Sequence, residues 1–239
     1  MDILGGIAKA LQLIGAGDPT LYGIVYRSLF FSGIAVVLAA LWGTPIAMLI
    51  GLREFRGKII VKTFINSLIG IPTVVLGLVL YLVFSKGGTL GVLGLLYTPG
   101  AIILGEAVLV TPILISIMTN AIEAVDPEIM NLAKTLGASE SQASVAVLKE
   151  AVNGVLLSNI ASFNRAIAEL GVALLVGGNI AGLTDVLTTA ISRYTQSGDL
   201  GLAIALGMIL MIIVFLVNIV VIMARRAKWL ITIWKSPQS

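Results

Sequence analysis

Five long apolar runs constrain the fold of this chain more than any other feature of its sequence. They cover residues 30–52, 63–85, 101–122, 151–176 and 200–224. An α-helix of about 20 apolar residues crosses a hydrocarbon core of about 30 Å and satisfies its own backbone hydrogen bonds there. Hydrophobic residues make up 58% of the chain and charged residues 11%, which is far outside the soluble range. The sequence therefore predicts an all-α membrane protein with five transmembrane helices in a single domain, residues 1–239.

The first twenty residues show a stripe instead of a run. Apolar side chains recur there at helical spacing, at Ile3, Leu4, Ile7, Leu11 and Ile14. Such a stripe is typical of a short helix lying in the membrane interface, and a frayed end is the alternative. A basic start and a small-residue cleavage site, the marks of a signal peptide, do not occur here. We therefore predict an interfacial helix over residues 1–20.

Basic residues near the ends of the runs predict the orientation of the chain, because cytoplasmic loops are enriched in Lys and Arg. Ten fall on the side that holds the C-terminus: Arg53, Arg56, Lys58, Lys62, Lys134, Lys149, Arg225, Arg226, Lys228 and Lys235. Four fall on the other side: Lys9, Arg27, Lys86 and Arg193. The C-terminus is predicted to be cytoplasmic and the N-terminus external. This bias also accounts for the net charge of +3, so nucleic acid is not expected as a partner.

A polar segment, residues 123–150, lies between two apolar runs and carries the signals of two short helices. Asp126, followed by proline, can cap a helix that is expected to run to Leu136 and stop at Gly137. Ser139 can cap a second helix, and the glutamine three residues later completes a capping box. Two helices hinged at a glycine would form a compact surface feature for a partner. An ordinary well-capped loop is the alternative.

Three charged residues fall inside the runs: Glu106 in the third run, and Arg165 and Glu169 in the fourth. Charged side chains in a membrane are costly, so they are candidates for a solute path or for buried ion pairs. Arg165 and Glu169 are four residues apart and can pair on one helix face. A structural ion pair is favoured over direct contact with a substrate. Either residue left alone would be expensive to bury.

Three of the runs also contain a central proline: Pro45, Pro72 and Pro112. Each removes one backbone hydrogen bond and releases a carbonyl that must find another partner or face a cavity. Kinked or broken helices are common where a membrane protein builds a path for solute, although kinks also serve packing alone.

Several chemistries are excluded by what the sequence lacks. There is no cysteine and no histidine, so disulfides, thiolate chemistry and a histidine proton relay are absent, and no metal site is expected. The glycine-rich residues 87–91 lack the Lys-Ser/Thr ending of a phosphate-binding loop, so no ATP is expected to bind there.

The turn at Gly177-Gly178-Asn179 can expose backbone N–H groups to an anion or a partner, with a plain turn as the alternative.

The polar segment resembles the cytoplasmic coupling loop of ABC importer permeases, whose pattern is Glu-Ala-Ala, three residues, Gly, nine residues, Ile-x-Leu-Pro. Aligned on Gly137, Ala133 matches the second Ala and Val147 takes the Ile position. Asn131 and Leu132 replace Glu and the first Ala, and the Leu-Pro pair is absent. The resemblance implies that the following residues contact an ATPase: Ala133, Lys134, Leu136, Gly137, Ala138 and Ser139.

A second resemblance lies in the fourth run and the loop after it. The aromatic–small–Arg…Glu-x-Gly run at residues 163–171 is followed by a Gly-Asn-Ile-x-Gly-x-Thr element at residues 178–184. This arrangement is similar to permeases of the molybdate, sulfate and tungstate import group. With the paired Gly177-Gly178, the continuation over residues 186–191 looks most like the tungstate branch. The resemblance marks Gly177, Gly178, Asn179, Gly182 and Thr184 as functional residues of an external loop, residues 177–199.

Together the resemblances imply a permease subunit of an ATP-driven oxyanion importer in the prokaryotic cytoplasmic or inner membrane. They imply a symmetric homodimer with two ATPase subunits inside, which bind ATP and Mg, and a solute-binding protein outside. This chain is then expected to bind no cofactor and not to be an enzyme. Tungstate is the favoured substrate, followed by molybdate and sulfate. The competing class is an ATP-independent secondary transporter or channel in which Glu106 and Arg165 relay ions; a structural membrane scaffold is a third.

Overall fold

The computed structural model describes residues 3–235, and within them the chain forms eleven α-helices joined by short connections. The helices are α1 (Ile3–Ala16), α2 (Pro19–Leu52), α3 (Lys58–Ile69), α4 (Thr73–Phe84), α5 (Pro99–Glu123), α6 (Pro127–Thr135), α7 (Glu140–Glu150), α8 (Val152–Ile167), α9 (Gly171–Gly177), α10 (Leu187–Gln196) and α11 (Leu200–Lys235). A single 3-10 turn, Gly91–Leu93, precedes α5. The predicted all-α fold is confirmed for this part of the chain.

Three helices, α2, α5 and α11, are long and apolar enough to cross a membrane by themselves. Two further spans are present only if each of two bent helix pairs counts as one: α3 with α4, bent by 94°, and α7 with α8, bent by 70°. The structure therefore gives three to five spans, with the predicted five as the upper limit. Helix α2 begins well before the predicted run at residue 30. Its 34 residues make it about 50 Å long, so it extends beyond a hydrocarbon core of about 30 Å.

The second predicted span, residues 63–85, is not one helix. Helix α3 ends at Ile69, and α4 begins at Thr73 after a residue with extended backbone, Pro72. Proline donates no hydrogen bond and disfavours helical geometry in the residue before it, so the helix cannot pass smoothly through this Gly-Ile-Pro sequence. Pro45 and Pro112, by contrast, remain inside α2 and α5. Only one of the three central prolines therefore breaks a helix.

The fourth predicted span, residues 151–176, is also interrupted. Helix α8 ends at Ile167, and the short helix α9 begins at Gly171. The side chain of Glu169 explains the restart, because its Oε1 accepts a hydrogen bond from the Val172 N–H at 3.0 Å. A carboxylate so placed satisfies a backbone donor of the first turn of α9 and stabilises a new helix start. The prediction of one continuous helix here was wrong.

The centre of the molecule is the contact between α2 and α5, against which α8 and α9 pack. One buried apolar cluster joins α2, α5 and α7, and another joins α4, α5 and α9. Helix α4 approaches α9 very closely at Gly77. A Cβ placed on Gly77 would lie 3.1 Å from the Gly171 carbonyl oxygen and 3.2 Å from the Val172 Cα. Any larger residue at Gly77 would push the two backbones apart, so α9 is fixed tightly to α4.

The first helix, α1, packs against α11. Ala10 is fully buried, and Leu13 and Ile14 are partly buried in the same cluster. Leu11, expected on the apolar face with Ile14, is 56% exposed. The helix predicted over residues 1–20 therefore ends at Ala16, and its apolar residues divide between the protein and its outer surface. The side chains of Ile3 and Leu4, and those of the basic tail from Arg225, lie outside the described part of the structure.

Candidate functional site

The polar segment forms two short helices with the predicted caps. Asp126 Oδ1 accepts a hydrogen bond from the Glu128 N–H at 2.9 Å, at the start of α6. Ser139 and Gln142 make both bonds of the capping box at the start of α7. Gly137 lies between the two helices with a φ of +88°. The caps and the glycine turn are confirmed, and α6 ends at Thr135, one residue before its predicted end.

One face of the polar segment is anchored in the protein, and the other is open. Ala143 and Val147 of α7 are buried, and Val147 belongs to the cluster shared with α2 and α5, so the residue at the motif's Ile position serves as an anchor. On α6, Leu132 is 59% exposed and Leu136 is 80% exposed. Large apolar side chains that project from a polar segment mark a surface suited to binding a partner.

The residues predicted to contact an ATPase share this open surface. Exposed members are Lys134, Leu136, Gly137 and Ser139, and the half-buried members are Ala133 and Ala138. Their side chains offer a mixture of apolar area, one cation and one hydroxyl. The structure therefore brings together the predicted set around the turn at Gly137, with no buried member.

Arg165 and Glu169 form an ion pair. Arg165 Nη1 lies 2.6 Å from Glu169 Oε2. The pair bridges the gap between α8 and α9 instead of lying along one helix, because Arg165 is in the last turn of α8 and Glu169 follows its end. The Glu169 side chain is 1% exposed and that of Arg165 is 34% exposed. The carboxylate is therefore an internal anchor, whereas the arginine side chain is partly exposed.

Glu106 lies on α5, close enough to Glu169 for the two carboxyl groups to repel each other. It is 2% exposed, and its Oε2 has no hydrogen-bond partner among the described residues. Its polar neighbour is Ser32 on α2. Arg165 pairs with Glu169, and no ion pair joins it to Glu106, so the two residues of the predicted ion relay are not in direct contact. On α8, Asn164 Nδ2 donates to Asn218 Oδ1 at 3.2 Å, and this bond joins α8 to α11.

Several backbone N–H groups of the turn after α9 form hydrogen bonds within the protein. Gly178 N–H donates to the Leu174 carbonyl at 3.0 Å, and Ile180 N–H donates to Thr184 Oγ1 at 2.9 Å. Thr184 Oγ1 in turn donates to the Gly177 carbonyl at 2.6 Å. The expectation that Gly177-Gly178-Asn179 exposes N–H groups to an anion is thus wrong for Gly178. These bonds close the turn on itself because its left-handed residues fold it back sharply.

The five predicted loop residues differ in their surroundings. Gly177 and Thr184 are buried, Gly178 and Gly182 are exposed, and Asn179 is half-buried. Positive φ angles occur at Gly178, Asn179 and Gly182, at 70°, 50° and 78°. Asn179 Nδ2 donates to the Thr189 carbonyl at 3.3 Å, which ties the turn to α10. The motif therefore specifies a compact turn.

Sequence reasoning missed a buried carboxylate next to this motif. Asp185 is 1% exposed and forms ion pairs with Arg27 of α2 and Arg193 of α10. The count of basic residues places both arginines on the external side, where charges are usually solvated. The available signal was the position of Asp185 directly after the Gly-Asn-Ile element, but no periodicity in the sequence connects it to Arg27.

The ion pairs also sort the charged residues into two groups. One group contains Arg53–Glu140, Lys58–Glu54, Lys58–Glu123 and Lys62–Glu123. The other contains Lys9–Asp199, Arg27–Asp185 and Arg193–Asp185. Among the described residues, no ion pair joins a residue predicted on one side of the membrane to one predicted on the other. The grouping agrees with the predicted separation of the two ends.

Comparison with known proteins decides the family. Residues 43–228 match the family described as "Binding-protein-dependent transport system inner membrane component". The chain belongs to this family. It is accordingly a multi-pass membrane protein of a transport system, and residues 43–228 include the C-terminal end of α2, all of α3 to α10 and most of α11.

Similar proteins share most of the chain. The tungstate uptake system permease protein TupB of Peptoclostridium acidaminophilum is 36% identical over 92% of this chain and 96% of its own length. TupB of Campylobacter jejuni is 36% identical over 91% of both chains. A protein of Haloferax volcanii described as "Probable anion ABC transporter permease protein" is 39% identical over 83% of this chain and 88% of its own.

Proposed function

We propose that this chain is the permease subunit of an ATP-driven oxyanion importer and that tungstate is its principal substrate. The observation that carries the proposal is the 36% identity to two tungstate uptake permeases over nearly the whole of each chain. The partly exposed, positively charged side chain of Arg165, inside a membrane protein, fits an anionic substrate. Molybdate and sulfate are the competing substrates.

The proposed assembly is a homodimer with two ATPase subunits on the cytoplasmic side and a solute-binding protein outside. ATP and Mg bind to the ATPase, so this chain supplies the path and no catalytic group. Residues 123–150 form the cytoplasmic coupling loop, residues 177–199 form the external loop, and residues 1–20 lie in the interface. The excess of basic residues beside the polar segment favours this orientation, because Lys and Arg are enriched in cytoplasmic loops.

The elbow between α7 and α8 supplies a route for coupling. Ala151 ends α7 and begins α8, so displacement of the polar segment would act directly on α8. The other end of α8 carries Arg165, which holds Glu169 at 2.6 Å. Glu169 caps α9 through the Val172 N–H. A movement imposed by the ATPase would therefore reach α9 through one helix and one ion pair.

Arg165 is the residue proposed to meet the substrate. Glu169 is buried and holds the guanidinium in place, while about a third of the Arg165 side-chain surface remains open. A guanidinium presents several N–H donors in a plane and suits the oxygens of a tetrahedral anion. Partial neutralisation by Glu169 would weaken binding enough for the anion to leave, which transport requires.

Uptake in cells tests the substrate. The gene is deleted, and cells carrying the wild-type gene or none are given radiolabelled tungstate with a hundredfold excess of unlabelled tungstate, molybdate or sulfate. We expect uptake of the label to depend on the gene. Unlabelled tungstate should abolish it, unlabelled molybdate should reduce it, and sulfate should leave it nearly unchanged. Equal competition by sulfate would contradict the assignment of tungstate.

Labelling of single cysteines tests the orientation, and the chain offers no native cysteine as background. An impermeant maleimide added outside intact cells should label Lys86→Cys and should not label Lys134→Cys. Permeabilised cells serve as the control, since both positions should then react. Labelling of position 134 from outside intact cells would contradict the proposed orientation and the cytoplasmic site of the ATPase.

A further inference from the structure

Asp185 lies at the centre of a buried charge cluster, which we call the Asp185 cluster (Arg27, Asp185 and Arg193). Arg27 Nη2 is 2.5 Å from Asp185 Oδ1, and Arg193 Nη2 is 3.3 Å from Asp185 Oδ2. Arg27 Nε also donates to the Asp185 backbone carbonyl at 3.1 Å. The Gly182 N–H donates to Oδ1 at 3.0 Å. Both carboxylate oxygens therefore have partners, from three separate parts of the chain.

The charge balance of this cluster is unequal. One carboxylate, 1% exposed, faces two guanidiniums whose side chains are 19% and 28% exposed. Loss of the carboxylate would leave two like charges close together with reduced access to water, a strongly unfavourable arrangement. Loss of Arg193 would be milder, because the shorter bond to Arg27 and the Gly182 N–H would still hold Asp185. The two arginines are therefore not equivalent.

The cluster fastens the turn that follows α9 to α2 and α10. Beside it, the Leu187 N–H donates to Ser28 Oγ of α2 at 2.7 Å. Thr188 Oγ1 donates to the backbone carbonyl of Glu169, the residue that caps α9. The stretch from Glu169 to Asp185 is thus held at both ends by a buried carboxylate paired with arginine. We call residues 169–185 the carboxylate-anchored segment.

We propose that Asp185 is a positioning residue for transport, which makes the carboxylate-anchored segment move as one body with the outer parts of α2 and α10. This inference rests on the proposed function, since it assigns the cluster a role in the transport cycle. Without the Asp185 cluster, the coupling route through α8 and Glu169 would move α9 while the turn after α9 opened locally. With the cluster in place, displacement of α9 carries the neighbouring ends of α2 and α10.

The direct test measures opening of the segment at Val186, which is 4% exposed and directly follows Asp185. Val186→Cys is similar in size and introduces a single thiol into a chain without cysteine. Its rate of labelling by an impermeant maleimide is measured in the purified protein, alone and combined with Asp185→Asn, Arg193→Gln or Arg193→Lys. Lys9→Gln is the matched control, because the Lys9–Asp199 pair is exposed, with side chains 47% and 42% accessible.

We expect Asp185→Asn to speed labelling by on the order of tenfold or more, the scale of losing a charge-assisted bond. Arg193→Gln should speed it less, Arg193→Lys should return it towards wild type, and Lys9→Gln should leave it unchanged. Unchanged labelling in folded Asp185→Asn would overturn the proposal. If Asp185→Asn does not fold, the labelling rates of Arg193→Gln and Arg193→Lys are compared instead. Equal rates in these two variants would overturn the proposal.

The second readout is the transport ratio, which is the amount of tungstate moved per ATP hydrolysed by the complete assembly. Thermal unfolding checks that each variant compared is folded. Faster labelling with a severalfold lower transport ratio in Arg193→Gln supports positioning. Faster labelling with an unchanged ratio would show a purely structural role and would overturn the proposal. If the wild-type assembly moves no tungstate, the proposed function fails, whereas the labelling result still reports separately whether the cluster holds the segment.

Discussion

The polar segment and the carboxylate-anchored segment are held in place by different kinds of contact. The polar segment is shaped by its own sequence: Asp126 and Ser139 cap its helices, and Gly137 makes the turn between them. The carboxylate-anchored segment depends on residues far away in the sequence, such as Arg27 for Asp185. Local signals therefore suffice to shape the polar segment, whereas the carboxylate-anchored segment needs charges brought from several helices.

The difference also concerns burial. Leu136 in the polar segment is 80% exposed, whereas Glu169 and Asp185 are each 2% exposed or less. Changes in the polar segment should affect binding and leave folding nearly intact. Changes in the carboxylate-anchored segment should affect folding first, because unpaired charges are costly where water is excluded. Four variants, taken from the largest expected effect to the smallest, test this contrast.

The largest effect is expected from Arg165→Leu, which leaves the Glu169 carboxylate buried without its partner. Breaking a buried pair in this way costs about 3–5 kcal/mol in soluble proteins. Glu169→Leu should also destabilise, because it removes the cap of α9, but the remaining Arg165 is 34% exposed and can reach water. Thermal unfolding in detergent of both single variants, the double variant and wild type measures the coupling. Strictly additive losses would show that the two residues do not stabilise each other.

The next effect is expected where α4 meets α9. Gly77→Ala would place a Cβ 3.1 Å from the Gly171 carbonyl oxygen. Such overpacking lowers the free energy of unfolding by about 1–3 kcal/mol. Gly33→Ala on α2 is the matched control, because a Cβ there meets nothing within 4 Å. Thermal unfolding of the two variants should differ clearly. Equal stability would mean that α4 and α9 are not as close as described.

A smaller effect on stability is expected at Gly137, whose φ of +88° is disfavoured for residues with a Cβ. Gly137→Val should cost about 1–2 kcal/mol and leave the membrane helices intact, yet it should weaken binding of the ATPase or uncouple hydrolysis from transport. Gly137→Asn is the control, since asparagine tolerates this conformation better. Co-purification and transport measure the outcome, and wild-type values for Gly137→Val in both would refute the hinge.

The smallest effect on folding is expected from Leu136→Ala. An exposed side chain contributes little, so the stability should change by less than about 0.5 kcal/mol. Binding of the ATPase should nevertheless fall, because a large apolar contact is lost. Val92→Ala provides the control: Val92 is 99% exposed in the turn before α5, on the side predicted to be external. Equal retention of the ATPase by both variants would remove Leu136 from the proposed contact surface.

The contrast also explains what the sequence could predict. The caps of α6 and α7 follow from residue types at fixed short spacing, and the structure shows them. The i,i+4 pairing of Arg165 with Glu169 was predicted too, although on a continuous helix. The break after Ile167 escaped prediction, because an apolar run does not reveal that a carboxylate within it caps a new helix. The Asp185 cluster depends on α2 and α10 packing together, which no local pattern encodes.

Transport by the purified assembly tests the central proposal most directly. The chain is reconstituted in proteoliposomes, alone or with its ATPase partner, with ATP and Mg on the ATPase side and the binding protein loaded with tungstate on the other. We predict accumulation of tungstate only in the complete assembly and only with hydrolysable ATP. Uptake by this chain alone under an ion gradient would contradict the account and would indicate a secondary transporter.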